Sequence, residues 1–306
     1  TVPVNQLMLS GLLEAPIVWP KSIDELSTGR VIEKYTPKPY QSIAIDKIVP
    51  QLDKRGQLIM ACGTGKTLTA LWIAEELGSN TTLVLLPSLL LLSKTLTEWL
   101  THCNEPFAYL PVCSDDTAAS GADSICLSTS ELAFPSTTDA DEIVAFLDRK
   151  GRKVIFSTYQ STPKIVEAFK TKKIEPFDLI IADEAHRCAG KASSGYTLAL
   201  DDSNIPAAKR LFMTATPKVF QAHFKKRAAE SGVDVVSMDD KAVFGPVLHS
   251  LSFGEAIKQD LLTDYRVVVV GIDNPTYERM ISERSLVETD NQIQSDAQSL
   301  ASHIAL

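Results

Sequence analysis

The sequence predicts an α/β fold in which a mainly parallel sheet is sandwiched between helices. Three observations carry that expectation. A short apolar run, Gln57-Leu58-Ile59, passes through the glycine-containing stretch Met60-Ala61-Cys62-Gly63-Thr64-Gly65-Lys66-Thr67 into an apolar-periodic run, Leu68 to Leu77, so that strand, loop and helix follow one another directly. Further apolar runs of strand length, around Thr82–Leu86, Val154–Thr158, Leu179–Ala182 and Arg210–Met213, are interleaved with stretches at helical spacing. Two of these runs deliver chemistry-bearing side chains at their ends, Asp183-Glu184 and Thr214-Ala215-Thr216, where an open parallel sheet presents its ligand-bearing edge.

Taken in chain order, residues 1 to about 35 mix Pro3, Pro16 and Pro20 with short apolar pieces and read as a connector with one helix near Leu7 to Leu13. Pro37-Lys38-Pro39-Tyr40-Gln41 opens a helix carrying Ile43, Ala44, Ile45, Ile48 and Val49. Gln41 lies 25 residues before Lys66, and its amide offers both a donor and an acceptor, the equipment for reading an adenine edge. In the loop that follows, Gly63 and Gly65 allow backbone angles that a side chain forbids. The amides of Gly63 to Lys66 then turn inward on a phosphate at the positive end of the next helix. Lys66 adds a point charge, and the Thr67 hydroxyl is placed to ligate Mg²⁺.

Thr82 to Leu86 reads as a buried strand, ended by Pro87 with Ser88 as helix cap, and Leu89 to Leu100 as the helix. Phe107 to Cys113 reads as a weaker strand. Thr117 to Asp139 is loop-like around a short strand, Ser124 to Ser128, and Thr138 or Asp139 caps a helix from Glu142 to Asp148. After the strand Val154–Thr158, Tyr159-Gln160-Ser161 leads to a helix starting near Pro163. Asp178 to His186 carries a strand to two adjacent carboxylates; one suits Mg²⁺ and the next suits orienting or deprotonating a water. Beyond Thr216-Pro217 the pattern predicts a polar helix, Val219 to Ala229, a strand near Val233 to Val236 and a last apolar strand, Tyr265 to Val270.

Composition limits the function classes. The 306 residues are 44% hydrophobic and 22% charged, ordinary for a globular protein with a sizeable core, and no stretch approaches a membrane span. The net charge of −8 argues against a globally basic DNA-coating protein, while leaving room for local phosphate contacts. The basic clusters Arg149–Lys153, Lys170–Lys173 and Lys225–Arg227 read as solvated faces. Five scattered cysteines, never spaced C-x-x-C, suggest neither a disulfide framework nor a zinc site and fit a reducing cytoplasm. No basic leader is visible at Thr1, and both ends read as cuts in a longer protein.

The stretches P-K-P-Y-Q, M-A-C-G-T-G-K-T, D-E-A-H and T-A-T stand in an order that resembles the first RecA-like domain of superfamily 2 helicases and translocases, a P-loop NTPase fold, over about residues 36 to 270. Leu86–Trp99, Val112–Asp115, Phe156–Ser161 and Leu261–Tyr265 look like the motor of type ISP (single-polypeptide type I) restriction-modification enzymes. This resemblance implies a connector over 1–35, the ATP-binding motor domain over 36–271, and a connector with the start of a second RecA-like domain over 272–306. It implies ATP and Mg²⁺ as cofactors, Gln41 as adenine reader, and Gly63, Thr64, Gly65, Lys66 and Thr67 as the phosphate and metal loop. Asp183 would be the metal carboxylate and Glu184 the water-activating one, with His186, Thr214 and Thr216 coupling nucleotide state to nucleic-acid grip. Ser88, Lys94, Thr158 and Tyr159 fall where such motors touch one strand's backbone, Lys94 standing where the family has glutamine. The implied partners are double-stranded DNA, a downstream second RecA-like domain bearing an arginine finger, and nuclease and methyltransferase domains. A strand-separating RNA or DNA helicase, and a nucleotide-dependent clamp or sensor that does not step, share the same motifs.

Overall fold

The computed structural model describes residues 33–114, 134–191, 195–221, 230, 235–264, 286–288 and 294–296. It divides into two compact units, Thr1–Leu262 and Thr263–Leu306; in the second, the described elements are the antiparallel pair β10 (Leu286–Glu288) and β11 (Gln294–Asp296). The expected helix near Leu7, the strands Ser124–Ser128 and Tyr265–Val270, and most of the helix expected after Val219 lie outside the described residues.

The first unit is built on seven strands: β1 (Arg55–Met60), β2 (Thr81–Leu86), β3 (Ala108–Val112), β4 (Lys153–Thr158), β5 (Phe177–Ala182), β7 (Ala207–Thr214) and β9 (Val247–Leu251). They lie in the order β3-β4-β2-β5-β7-β1-β9, and every pairing is parallel. The two short strands β6 (Gly190–Lys191) and β8 (Val235–Val236) form a separate antiparallel pair. Helix α1 (Pro39–Gln51) precedes β1; α2 (Lys66–Glu76), α3 (Leu89–His102), α4 (Ala140–Leu147) and α5 (Thr162–Thr171) make the main crossovers, with short α6 (Lys241–Phe244) and α7 (Phe253–Lys258) flanking β9. The expected α/β sheet with helices on both sides is present.

Alternate residues of the central strands enter two cores. Val84, Leu86, Leu179, Ile181, Leu211 and Met213 pack with Leu71, Trp99 and the inner side of α1. Their neighbours Leu83, Leu85, Ile180, Ala182 and Phe212 pack instead with Ile143, Phe146 and Ile165. Burial on both faces is why these strands read as unbroken apolar runs. Caps set where the helices begin: Ser88 Oγ accepts from Leu91 N at 3.4 Å, and Asp139 Oδ1 accepts from Asp141 N at 2.7 Å.

The edge strand β9 has no counterpart in the sequence reading. It follows Gly245, whose φ of 74° brings the backbone so close to β1 that a Cβ there would lie 2.2 Å from Arg55 O. The buried Gln57 side chain donates to Met238 O at 3.0 Å and Gly245 O at 2.9 Å, fixing that corner. Val219 to Gln221 are not helical, although a helix was expected from Val219.

Candidate nucleotide site and strand-end crevice

The topology brings the sequence-predicted residues together. The carboxyl ends of β5, β7 and β1 are adjacent, so Asp183-Glu184, Thr214-Thr216 and the loop before α2 line one edge. Ile59 pairs with Thr214 across β1–β7, and Leu85 pairs with Ala182 across β2–β5, which places Ser88 next along the same edge. Thr158, at the end of β4, pairs with Leu86.

Gly63 and Gly65 both adopt left-handed angles, φ 82° and 79°. Gly65 is the N-cap of α2 and supplies no side chain, so the first amides of the helix have no capping acceptor from that residue. Lys66 Nζ donates to Met60 O at 3.2 Å, and the buried Thr64 hydroxyl donates to Ala61 O at 2.7 Å. Trp99, fully buried in α3, donates its indole N–H to Thr67 O at 3.0 Å and ties the start of α2 to the next crossover.

Gln41 is buried beneath this loop. Its Nε2 donates to Gly65 O at 3.2 Å, Thr64 O at 3.4 Å and Thr69 Oγ1 at 3.3 Å, while its Oε1 accepts from Lys38 N at 2.9 Å. A Cβ on Gly65 would lie 2.5 Å from that Nε2. The glutamine is therefore a strut of the loop itself, a contact that a one-dimensional reading of its spacing did not reveal.

Asp183 continues the backbone ladder from β2, its N–H donating to Leu85 O at 2.9 Å. Burial and the neighbouring Glu184 push its carboxyl up to about 6, against the pull of the Glu184 N–H and of Lys66. Glu184 stands in the left-handed region at φ 47°, ψ 47°, rare for a residue with a side chain, and leads the 3₁₀ turn Ala185–Cys188. That conformation turns its carboxylate towards β7: Oε2 lies 3.3 Å from His186 Nδ1 and accepts from Thr214 Oγ1 at 3.5 Å. His186 Nδ1 is also 2.9 Å from Thr214 Oγ1, which accepts the Thr216 N–H at 3.1 Å. Burial pulls the His186 pKa below its ordinary value despite Glu184, with Arg187 and Lys218 adding to the fall.

The four residues expected to touch nucleic acid divide in two. Lys94 is exposed on α3, and Ser88, its N-cap, is half-buried at the strand end. Thr158 and Tyr159 are buried, the former bonded to Ser161 Oγ at 3.1 Å and the latter donating to Asp183 O at 2.6 Å. In this arrangement their side chains face inward. Among the described residues no group of three or more His, Cys, Asp or Glu could hold a metal by itself, and no helix is long and apolar enough to cross a membrane.

Residues 34–219 match the family described as "Type III restriction enzyme, res subunit". A protein of African swine fever virus described as a probable helicase is 27% identical over 270 residues, 87% of this chain and 27% of the viral protein. Among solved structures, the DNA-bound type ISP restriction-modification enzyme LlaBIII is 33% identical with a TM-score of 0.63, covering 76% of this chain and 16% of the enzyme. A nuclease-deletion mutant of the type ISP enzyme LlaGI, in complex with a DNA substrate mimic, is 30% identical with a TM-score of 0.57, covering 82% of this chain and 22% of that one. The chain thus spans about a quarter or less of the length of these relatives. Its sheet is the RecA-like sheet of helicase motors, and with more than half its residues matched the chain belongs to the ResIII, type III restriction enzyme res-subunit, family of helicase-type motor domains.

Proposed function

We propose that this chain is the nucleotide-binding half of an ATP-driven motor that moves on double-stranded DNA within a restriction-modification enzyme, working in the cytoplasm. The observation that carries the reading is the placement of Lys66, after β1, and the Asp183-Glu184 pair, after β5, at the same sheet edge on either side of β7, close enough for Lys66 to pull on the Asp183 carboxyl. Intact paired carboxylates favour turnover over mere clamping, because a clamp has no use for the second one. The kinship with DNA-bound type ISP enzymes favours duplex translocation over strand separation.

The residues fit Mg²⁺ and ATP. Two left-handed glycines make a concave loop before an uncapped helix start, suited to a polyphosphate. Burial and Glu184 raise the Asp183 carboxyl to about 6, and Asp183 and Thr67 would hold a hard cation together with the substrate phosphates, with no need of an all-protein cage. When bound, Mg²⁺-ATP supplies the transferable phosphoryl group and the charge that screens it. Lys66 leaves Met60 O to meet the outer phosphates. Glu184 orients and deprotonates the attacking water, and Thr214 and His186 feel the change in its charge through their shared hydrogen bonds. Gln41 sets the loop's shape from below and contributes one remaining lone pair of Oε1 towards a base edge.

Calorimetry with Mg²⁺-ATP on wild type and Lys66→Ala tests this. Binding by the wild type and loss of at least about tenfold in the variant is the expected result, the lysine being the loop's own phosphate charge. Equal binding by both would overturn the assignment.

A further inference from the structure

The peptide unit between Asp183 and Glu184 is held at both ends. Its N–H, on Glu184, donates to Asp183 Oδ1 at 3.0 Å, and its C=O, on Asp183, accepts the Tyr159 hydroxyl at 2.6 Å. Tyr159 comes from a different strand end, immediately after β4, with β2 lying between β4 and β5. The peptide it grips is the one that precedes the left-handed Glu184. A left-handed angle at a residue with a Cβ costs energy and persists only where neighbouring bonds over-determine it. Here the packing around the phenol helps to do so: the Tyr159 ring lies 5.4 Å from the Tyr196 ring.

Burial raises the tyrosine well above its ordinary value, so its hydroxyl keeps the proton it donates to Asp183 O.

Resting on the proposed ATPase reading, we infer that Tyr159 is a positioning residue for water activation: by gripping the Asp183 carbonyl it holds Glu184 in the rotated backbone state that aims its carboxylate at the reacting water and at His186–Thr214. The same residue follows Thr158 at the end of β4, whose partner Leu86 lies two residues before Ser88, so one hydroxyl joins that strand end to the catalytic turn. Tyr159 thus acts inward on the carboxylate pair instead of outward on a phosphate.

Tyr159→Phe keeps the ring against Tyr196 and removes only the hydroxyl. Two readouts test it on the 306-residue chain. Hydrogen exchange without nucleotide should quicken about tenfold over residues 183–188 while the amides of 66–76 keep their protection, because a local restraint is lost and the global fold is not. Single-turnover hydrolysis, with chain in excess over ATP, should slow by about ten- to a hundredfold at unchanged nucleotide affinity, the usual effect of misplacing a catalytic group by a fraction of its reach. Placed on a Glu184→Gln background, Tyr159→Phe should add no further loss, since it acts through that carboxylate. A 4-aminophenylalanine at Tyr159, which returns a donor to the same place, should restore both readouts and separates positioning from a packing defect. Unchanged exchange at 183–188, or a full multiplicative loss on the Glu184→Gln background, overturns the positioning role alone. Absence of any effect of Glu184→Gln on hydrolysis overturns the ATPase reading, and the exchange result stands apart from it.

Discussion

His186 Nδ1 sits 2.9 Å from Thr214 Oγ1, joining the turn after β5 to the end of β7. The network assigns the proton positions. Thr214 Oγ1 accepts from Thr216 N and gives its own proton to Glu184 Oε2, so His186 presents Nδ1–H to the pair. With its pKa held down by burial, His186 is neutral at pH 7 and serves as a hydrogen-bond relay.

Thr214→Val should leave Mg²⁺-ATP binding within about threefold of wild type while removing the path from Glu184 to the strand end, because the hydroxyl bonds Glu184, His186 and Thr216 and not the phosphate loop. Leaving the Thr216 N–H and His186 without their acceptor should cost about 1–3 kcal/mol of stability. Thermal melts and calorimetry read the two effects separately, and a variant that loses nucleotide binding outright contradicts the relay.

Asp183→Asn tests the raised carboxyl. A folded-state pKa of about 6 against an ordinary 3.8 means that the folded chain binds this proton more tightly than the unfolded one. The stabilisation is whole below about 3.8 and is lost as pH rises through about 6, amounting to at most about 3 kcal/mol. Asparagine keeps the Oδ1 acceptor for Glu184 N–H without the charge. The variant should melt several degrees higher than wild type at pH 7.5 and equally at pH 4, and wild-type Mg²⁺-ATP affinity should climb as pH passes 6. Identical melting curves at pH 7.5 would show that the buried charge imposes no cost.

Gln41→Ala separates two roles for one amide. Its bonds to Thr64 O and Gly65 O predict that ATP and GTP both lose affinity, by about tenfold, because the loop itself sags when a buried carbonyl pair loses its donor. A loss confined to ATP would leave the residue its adenine-reading role alone and remove the strut.

DNA binding should be weak, independent of base sequence and steeply salt-dependent, given the net charge of −8 and the presence of the exposed Lys94 on α3. Lys94→Ala should lower affinity equally on all sequences and reduce the slope of log affinity against log salt by about one. Thr158→Ala, in a buried side chain, should act through stability instead. Tight, salt-insensitive binding to one sequence would contradict the duplex-tracking reading.

Much of this was legible in one dimension because buried parallel strands are nearly pure apolar runs and their ends carry the chemistry. Val84, Ile181 and Met213 announce strands whichever face they enter, and glycines at 63 and 65 announce a turn. Other features depend on tertiary proximity. β9 is short, interrupted by His249 and Ser250, and among the described residues paired on only one side, so its pattern is indistinct. The inward turn of Tyr159 and the strut formed by Gln41 join residues 24 apart along the chain, a distance at which spacing says nothing about contact. The left-handed Glu184 has no sequence signal at all; glutamate is not a residue that favours that region.

The final prediction concerns turnover. The chain gathers the phosphate loop, Asp183 and Glu184, yet the resemblance to two-domain motors puts the arginine that faces the outer phosphate in a downstream RecA-like domain. Such an arginine is typically worth about 10³–10⁵ in rate, or roughly 4–7 kcal/mol of transition-state stabilisation. Tighter ground-state binding by the loop does not substitute for it, since equal stabilisation of substrate and transition state leaves the chemical barrier where it was. The chain by itself should therefore bind Mg²⁺-ATP and hydrolyse it very slowly, with little response to DNA. Joined to a second RecA-like domain it should gain DNA-stimulated hydrolysis, and Glu184→Gln in that longer polypeptide should abolish the gain while sparing binding. Steady-state assays on the three proteins decide the matter: brisk, DNA-stimulated turnover by the chain alone would mean that its own residues, with Arg187 beside the catalytic turn as the first to substitute, already supply the missing charge.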